Sequence, residues 1–516
     1  MILSRIQKIT CFFIFLVIYV LAWKIQSQFL IKGDVSEQMH LARIVLRGGN
    51  YVNNFFEINP PLSIFLYMPE ILIGKLFLVS HIIGVRIYMF FLASGSLWIC
   101  AVLIKKLFQK KDSWIAMIFL LCLSAIYLIL PLGEFGQREN ILIIFTMPYF
   151  LLVACRLENK CIHVFLAILI GVLSALGFSL KPFFFIPFVL VESYAIFSTK
   201  KFFTVRPENV VIFFFLLFYM ALIFIFFNPY LTIVIPWAMK FYYQKMFTSW
   251  TELLFSSLVL FSLCSVIVYY LQYKKNAYHV LNTILIFALI GFFLSYLIQR
   301  LPWYYHFLPV FSIALLLDVY LFCIFMQRAW FSVWKQMVIS MIAIVFFSFP
   351  VLYISRVYES DVFQKKVLTS MIHYLHAREF HRPVYFFSAY TAYMVSVFEE
   401  AGSYPASRLQ CLMWLRGDFG KNYIQKMTPR EIRINQFFSR LLAIDLSRNK
   451  PDLIWVDTQP YTINGHHNQR VEYLRILKQN KQFRSAWKSY HYLKTMQKKG
   501  EYQFAIYQRK RSDPVA

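Results

Sequence analysis

Apolar runs of close to twenty residues alternate with short polar stretches from residue 9 to residue 354. A helix crossing the hydrocarbon core of a bilayer needs about 20 mostly apolar residues. By that measure about eleven spans are predicted. They lie near 9–30, 82–104, 114–131, 141–155, 162–180, 183–198, 209–228, 252–272, 278–298, 307–326 and 336–354. The stretch 61–80 opens on prolines and ends near His81, and is expected to lie at the membrane interface. Arg5 and Lys8 precede the first apolar run and no small-residue cleavage site follows, so that run is expected to remain as an uncleaved first span.

One polar interruption is unusually long. It runs from Gly33 to Leu62 as GDVSEQMHLARIVLRGGNYVNNFFEINPPL. Past Arg356 the pattern changes again. PVYFFSA (383–389) and PDLIWVD (451–457) are predicted to be buried strands ending in polar residues, and 361–380 and 467–487 to be helices. The expected fold class is a polytopic α-helical membrane protein, residues 1–355, followed by a soluble α/β domain, residues 356–516.

Composition strengthens the membrane assignment. Only 15% of residues are charged, against about 25% in soluble domains. The net charge of +27 then points to cytoplasmic loops and anionic lipid, and no nucleic-acid-binding motif accompanies it. The basic stretches are Arg5/Lys8, KKLFQKKDS from Lys105, RLENK from Arg156, TKKFFTVR from Thr199, YKK from Tyr273 and QRAWFSVWK from Gln327. Counting spans alternately from a cytoplasmic N-terminus puts all six on the inner side, as the excess of Lys and Arg in cytoplasmic loops requires. The same count puts 31–80, 133–140, 181–182, 229–250 and 299–306 outside, together with the C-terminal domain. Long domains translocate regardless of charge. A transporter would carry polar residues in mid-span, whereas these spans read as nearly free of charge. Cys411 is the only cysteine after Cys323, so an intrachain disulfide framework in the C-terminal part is excluded.

The outer loops hold the candidate chemistry. Asp34 follows the first span, where a rigid helix end would hold a carboxylate at the membrane surface as a general base; the other readings are a solvated interfacial carboxylate or an N-cap for the helix containing Met39–Leu46. Glu57 precedes Asn59-Pro60-Pro61, whose rings stiffen the return of the chain to the membrane. GEFGQREN brings Glu134, Arg138 and Glu139 to the outer ends of two spans. They would form an internal ion pair or a carboxylic acid beside a phosphate-binding guanidinium. Lys181 either snorkels to the interface or meets a lipid phosphate. Arg300 and His306 can both donate to phosphate oxygens. His466-His467 have poor spacing for a metal. No P-loop, nucleophile elbow or GxGxxG is present.

Asp34 right after the first span, the Gly48-Gly49 pair, an acid before Pro60-Pro61-Leu62, FGQRE at 135–139, SLKP at 179–182 and WYYHFLP at 303–309 occur in an order that resembles the GT-C superfamily of membrane glycosyltransferases. Within it the chain is similar to the bacterial relatives of protein O-mannosyltransferases and lipid A aminoarabinose transferases, over roughly residues 1–355. The resemblance implies a polyprenyl-phosphate-linked sugar as donor and transfer on the periplasmic face of the bacterial inner membrane, with inversion in a single displacement. It implies Asp34 as the base, Glu134 or Glu139 positioning acceptor or sugar, and Arg138, Lys181, Arg300 and His306 around the leaving phosphate. Glu57 joins the acidic set. No organic cofactor is implied, and the need for a divalent metal stays open. Val35 stands where many relatives have a second acid, Asn59 where the aminoarabinose enzymes have Lys before Pro-Pro, and Asn140 where His often follows FGQRE. The sugar and the acceptor (glycolipid, polysaccharide or protein) therefore stay open. The rival reading is a transporter or flippase of lipid-linked sugars.

Overall fold

The structure is a computed structural model. It describes residues 5–199, 205–239, 249–272, 279–328, 333–379, 381–389, 391–412, 415, 428–459, 461–463, 466–469 and 472–510. The basic stretches at 199–206, 273–275 and 327–335 and the outer segment 229–250 fall partly or wholly outside the described residues, as do the side chains of His466 and His467. The chain divides into two compact units. One comprises Met1–Phe29, Asn59–Phe226 and Lys245–Val362; the other comprises Leu30–Ile58, Phe227–Gln244 and Phe363–Ala516.

The helices of the first part of the chain are α1 (Arg5–Ser27), α2 (Gly33–Leu46), α3 (Pro61–Phe65), α4 (Met68–Phe77), α5 (His81–Leu107), α6 (Ser113–Leu128), α7 (Arg138–Leu157), α8 (Val164–Phe178), α9 (Ile186–Thr199) and α10 (Pro207–Phe226). They are followed by α11 (Ser257–Gln272), α12 (His279–Gln299), α13 (Tyr304–Arg328) and α14 (Val333–Glu379). All but α2 and the last part of α14 belong to the first unit.

Among the described residues, eight helices are long and apolar enough to cross a membrane, against about eleven expected. Among the described residues, two of the expected spans, 162–180 and 252–272, are helices of 15 and 16 residues. At 1.5 Å per residue these fall short of a bilayer core of about 30 Å. The chain leaves α8 early because Pro182 follows Lys181 and opens a 3-10 turn, Pro182–Phe185. The expected span 336–354 lies inside the 47-residue α14. Helix α7 is the centre of the first unit, packed by α5, α8, α12 and α13. Its apolar side chains are buried on every face, the property of a helix surrounded by others.

The spans are less free of charge than their sequence suggests. Glu192 of α9 accepts hydrogen bonds from Arg206, from Asn209 Nδ2 at 2.8 Å and from the Tyr149 hydroxyl. Glu208, the second residue of α10, takes a two-pronged contact from Arg156 at 3.1 and 3.2 Å. Buried carboxylates need this full complement of donors to offset their desolvation. Asp318 of α13 is buried and accepts Ser265 Oγ of α11 at 2.6 Å.

The second unit contains α2, helices α15 (Thr391–Ala401) and α16 (Pro429–Asn449), and strands β1 (Pro383–Phe387), β2 (Tyr404–Pro405), β3 (Leu453–Asp457), β4 (Tyr461–Ile463), β5 (His466–Gln469), β6 (Tyr490–Lys498) and β7 (Tyr502–Arg509). The main sheet runs β2-β1-β3-β7-β6; β2, β1 and β3 are parallel and the other pairings antiparallel. The predicted strands at 383–389 and 451–457 are β1 and β3, neighbours at its centre. Phe386 stacks on Trp455, with ring centroids 5.2 Å apart, and both meet Phe504 edge-on. Helix α16 starts with a capping box between Thr428 and Glu431, which satisfies donors the first turn would otherwise leave unpaired.

Helix α2 packs on α15. Gly49, just past its end, permits the chain to fold back: a Cβ there would lie 2.3 Å from Ile44 Cγ2. His40 is buried on α2, and burial, with smaller contributions from Arg43 and Arg47, pushes its imidazole down to about 3. The fold thus favours neutral His40, while the unfolded chain takes up a proton near pH 6.5. The stabilisation is present above pH 6.5 and is lost as pH falls toward 3. Protection factors of the α2 amides, corrected for the intrinsic exchange rate at each pH, are expected to fall as pH is lowered over that window, and His40→Gln is expected to flatten the dependence. An unchanged acid profile in the variant would remove His40 from the account.

Candidate active site

Four helix ends in the first unit bring the polar residues of separate loops together. Gly136 adopts φ +85°, a conformation that suits glycine, and turns the chain from the 3-10 turn Leu132–Glu134 into α7. Asn140 fixes this turn, with Oδ1 accepting the Gly136 amide at 3.2 Å and Nδ2 donating to the Tyr127 carbonyl at 3.2 Å. Arg138 and Glu139 are the first two residues of α7 and both are buried. An acid in the first turn also meets the positive end of the helix dipole.

Glu139 is the hub. Its Oε1 accepts Lys181 Nζ at 2.6 Å and faces His306 Nδ1 at 3.2 Å. Lys181 comes from the turn after α8 and His306 from the first turn of α13. Gln299, the last residue of α12, accepts Lys181 Nζ on Oε1 at 3.2 Å and donates through Nε2 to the Ser295 carbonyl. Rings of Phe183, Phe184 and Tyr305 lie 5.4–5.8 Å from the ammonium, within the range of cation–π attraction. Trp303 stacks on His306 with centroids 5.4 Å apart.

The chemistry follows from the donor set. With Nδ1–H donated to the carboxylate, His306 presents the lone pair of Nε2, which has no hydrogen-bond partner among the described residues. The second carboxylate oxygen, Oε2 of Glu139, has none either. A lysine and an arginine in one buried cluster suit an anion with several oxygens; His306 adds a donor only when its Nε2 is protonated.

Other expected residues stand elsewhere. Glu134, partly buried, accepts Gln137 Nε2 at 3.3 Å. Arg300 adopts φ +50° and lies over the Trp250 ring at 4.5 Å. Asp34 and Glu57 belong to the second unit. Asp34 sits in the first turn of α2, whose N-cap is Lys32, so the N-cap reading of Asp34 does not apply. Glu57 is buried, 3% exposed, in the segment between Tyr51 and Pro60. Gln299 was legible only as part of a polar loop; its pairing with Lys181 requires α8 and α12 to end side by side. Among the described residues no group of three or more His, Cys, Asp or Glu is placed to hold a metal ion.

Comparison with family models and with curated proteins finds no match to the chain. Comparison with solved structures does. ArnT of Cupriavidus metallidurans bound to undecaprenyl phosphate aligns at a TM-score of 0.54 and 10% identity, over 98% of this chain and 98% of that one. The same protein in its apo state aligns at 0.48 and 11% identity, over 89% and 96%. The apo oligosaccharyltransferase of Archaeoglobus fulgidus aligns at 0.47 and 11% identity, over 88% and 70%. Only the first of these scores carries weight. At 10% identity it is the fold alone that is shared: over nearly its whole length the chain is similar in fold to that ArnT structure.

Proposed function

We propose that the chain is a glycosyltransferase that moves a sugar from a polyprenyl-phosphate donor to an acceptor hydroxyl on the periplasmic face of the bacterial inner membrane. The observation that carries this reading is the end-to-end likeness to an ArnT structure that holds undecaprenyl phosphate. The buried cationic cluster on Glu139 supports it. In this reading residues 1–355 are the transmembrane catalytic domain, with the N-terminus cytoplasmic, and residues 356–516 are periplasmic. The partners are the lipid-linked donor, a glycolipid, polysaccharide or protein acceptor, and membrane lipid.

The reaction is a single inverting displacement. The acceptor oxygen forms a bond to the anomeric carbon and its proton passes to the Asp34 carboxylate. The bond from that carbon to the phosphate oxygen breaks, and its electron pair leaves with polyprenyl phosphate. Lys181, Arg138 and Arg300, joined by His306 when its Nε2 carries a proton, stabilise the charge that develops there. Glu139 orients Lys181 and His306, and Glu134 and Glu57 are the further acids that position acceptor or sugar. Phosphate is a good leaving group, so no proton donor to it is required.

A flippase reading has one observation in its favour, the buried mid-span Asp318, since intramembrane carboxylates mark transport pathways. Mass spectrometry of envelope glycans, in cells with and without the chain, separates the two. A transferase predicts that one sugar disappears while its lipid-linked donor accumulates on the outer leaflet. Accumulation on the inner leaflet would instead mark a flippase.

A further inference from the structure

The sequence from residue 356 onward matched no motif, yet the second unit ties it closely to the loop that carries Glu57. Arg408 lies in the run that continues β2 beside β1, where the Ala406 amide donates to the Val384 carbonyl and the Leu412 amide to that of Ser388, both at 2.8 Å. Arg408 is 8% exposed. Asp445 of α16 holds it from several sides. Oδ1 accepts Nε at 2.9 Å and Nη2 at 2.7 Å; Oδ2 accepts the Arg408 main-chain amide at 2.9 Å and Ser407 Oγ at 3.3 Å. A guanidinium gripped in this way is a rigid object.

The rest of Arg408 reaches the loop. Nη1 donates to the Val52 carbonyl at 2.8 Å, and the Arg408 carbonyl accepts the Phe56 amide at 2.9 Å. Val52 is a β-branched residue at φ +70°, a backbone conformation such residues rarely adopt and one that persists only where the surroundings hold it. Tyr51 packs on Phe55 at 4.5 Å, closing the turn. On the far side of Glu57, the Tyr230 hydroxyl donates to the Ile58 carbonyl at 3.2 Å. Glu57 is thus flanked by two pinned peptide groups.

We propose that Arg408, locked by Asp445, is a positioning residue that holds the strained Tyr51–Phe56 turn and thereby sets the Glu57 carboxylate. The domain after residue 356 is then a structural partner of the loop rather than an appendage. This rests on the reading that the loop serves sugar transfer. The Arg408 side chain gives the turn one donor, Nη1 to the Val52 carbonyl, while the contact to the Phe56 amide is made by its main chain and survives substitution.

The test uses the full chain in its native lipid and follows hydrogen exchange together with envelope glycan at matched protein level. With Arg408→Met, exchange in the 50–58 peptide is expected to accelerate at least about tenfold, while peptides of β3 and β7 stay unchanged. Transferred sugar is expected to fall by about a factor of ten. Arg408→Lys keeps a cation against Asp445 and folds more safely; it is expected to shift both readouts in the same direction, by less. Adding Val52→Gly to Arg408→Met removes the strain and is expected to restore part of the transfer, a rescue that a general folding role would not give. The proposal is overturned by unchanged 50–58 exchange, by equal acceleration in β3 and β7, or by a loosened loop with transfer intact. If the glycan also survives Asp34→Asn, the transferase reading itself fails, while the exchange result still decides the clamp.

Discussion

Asp34→Asn is expected to lower sugar transfer by about 10²–10⁴, the usual contribution of a positioned general base, at unchanged protein level. The substitution is nearly isosteric and removes the charge that, in this account, takes the acceptor proton. Asp34 lies in the first turn of α2, where a negative charge gains modestly from the helix dipole. The amide forfeits that dipole contribution, about 0.3–1 kcal/mol. Donor binding is expected to persist, because in this account the phosphate is held by other residues. Measuring donor retention and transfer on the same preparation separates the two effects. Full transfer by the Asn variant would dismiss Asp34 as the base.

The second large effect falls on Glu139. Breaking a buried ion pair from one side leaves an unpaired charge and costs about 3–5 kcal/mol. Glu139→Gln strands the Lys181 ammonium beside amides and rings, so a large drop in thermal stability is expected along with loss of transfer. The double variant Glu139→Gln/Lys181→Met removes both charges. It is expected to regain most of the stability, since replacing a whole buried pair by neutral groups is often tolerated, yet to remain inactive. Recovery of transfer with stability would reduce the cluster to a structural ion pair.

Much of the architecture could be read from the chain itself. The period of the apolar runs marked the membrane helices, and PVYFF and LIWVD announced β1 and β3 because strands buried on both faces are continuous apolar stretches. The membership of GEFGQREN and of Lys181 in one polar group followed from the alternation of loops. Their pairing did not. Glu139 and Lys181 are separated by α7, α8 and the loop between them, so only the lateral packing of those helices decides that Lys181 meets this carboxylate. Glu192, inside the expected span 183–198, and Glu208, just before 209–228, were not singled out in spans that read as nearly free of charge, and their partners Arg206 and Arg156 sit in loops that read simply as cytoplasmic charge. Span lengths were overestimated at α8, which ends at Phe178, and at α11, which begins only at Ser257, because hydropathy does not register where a helix starts and stops. Arg408 carried no local signal at all: its role depends on a strained turn at Val52, more than 350 residues upstream.

The most direct measurement of the central claim is made with the purified full chain in vesicles of bacterial phospholipid, loaded with radiolabelled polyprenyl-phosphate sugars and supplied with envelope extract as acceptor. The account predicts that label appears in the acceptor in step with release of free polyprenyl phosphate, and that neither occurs with Asp34→Asn. Movement of intact lipid-linked sugar between leaflets, with no polyprenyl phosphate released, would contradict it.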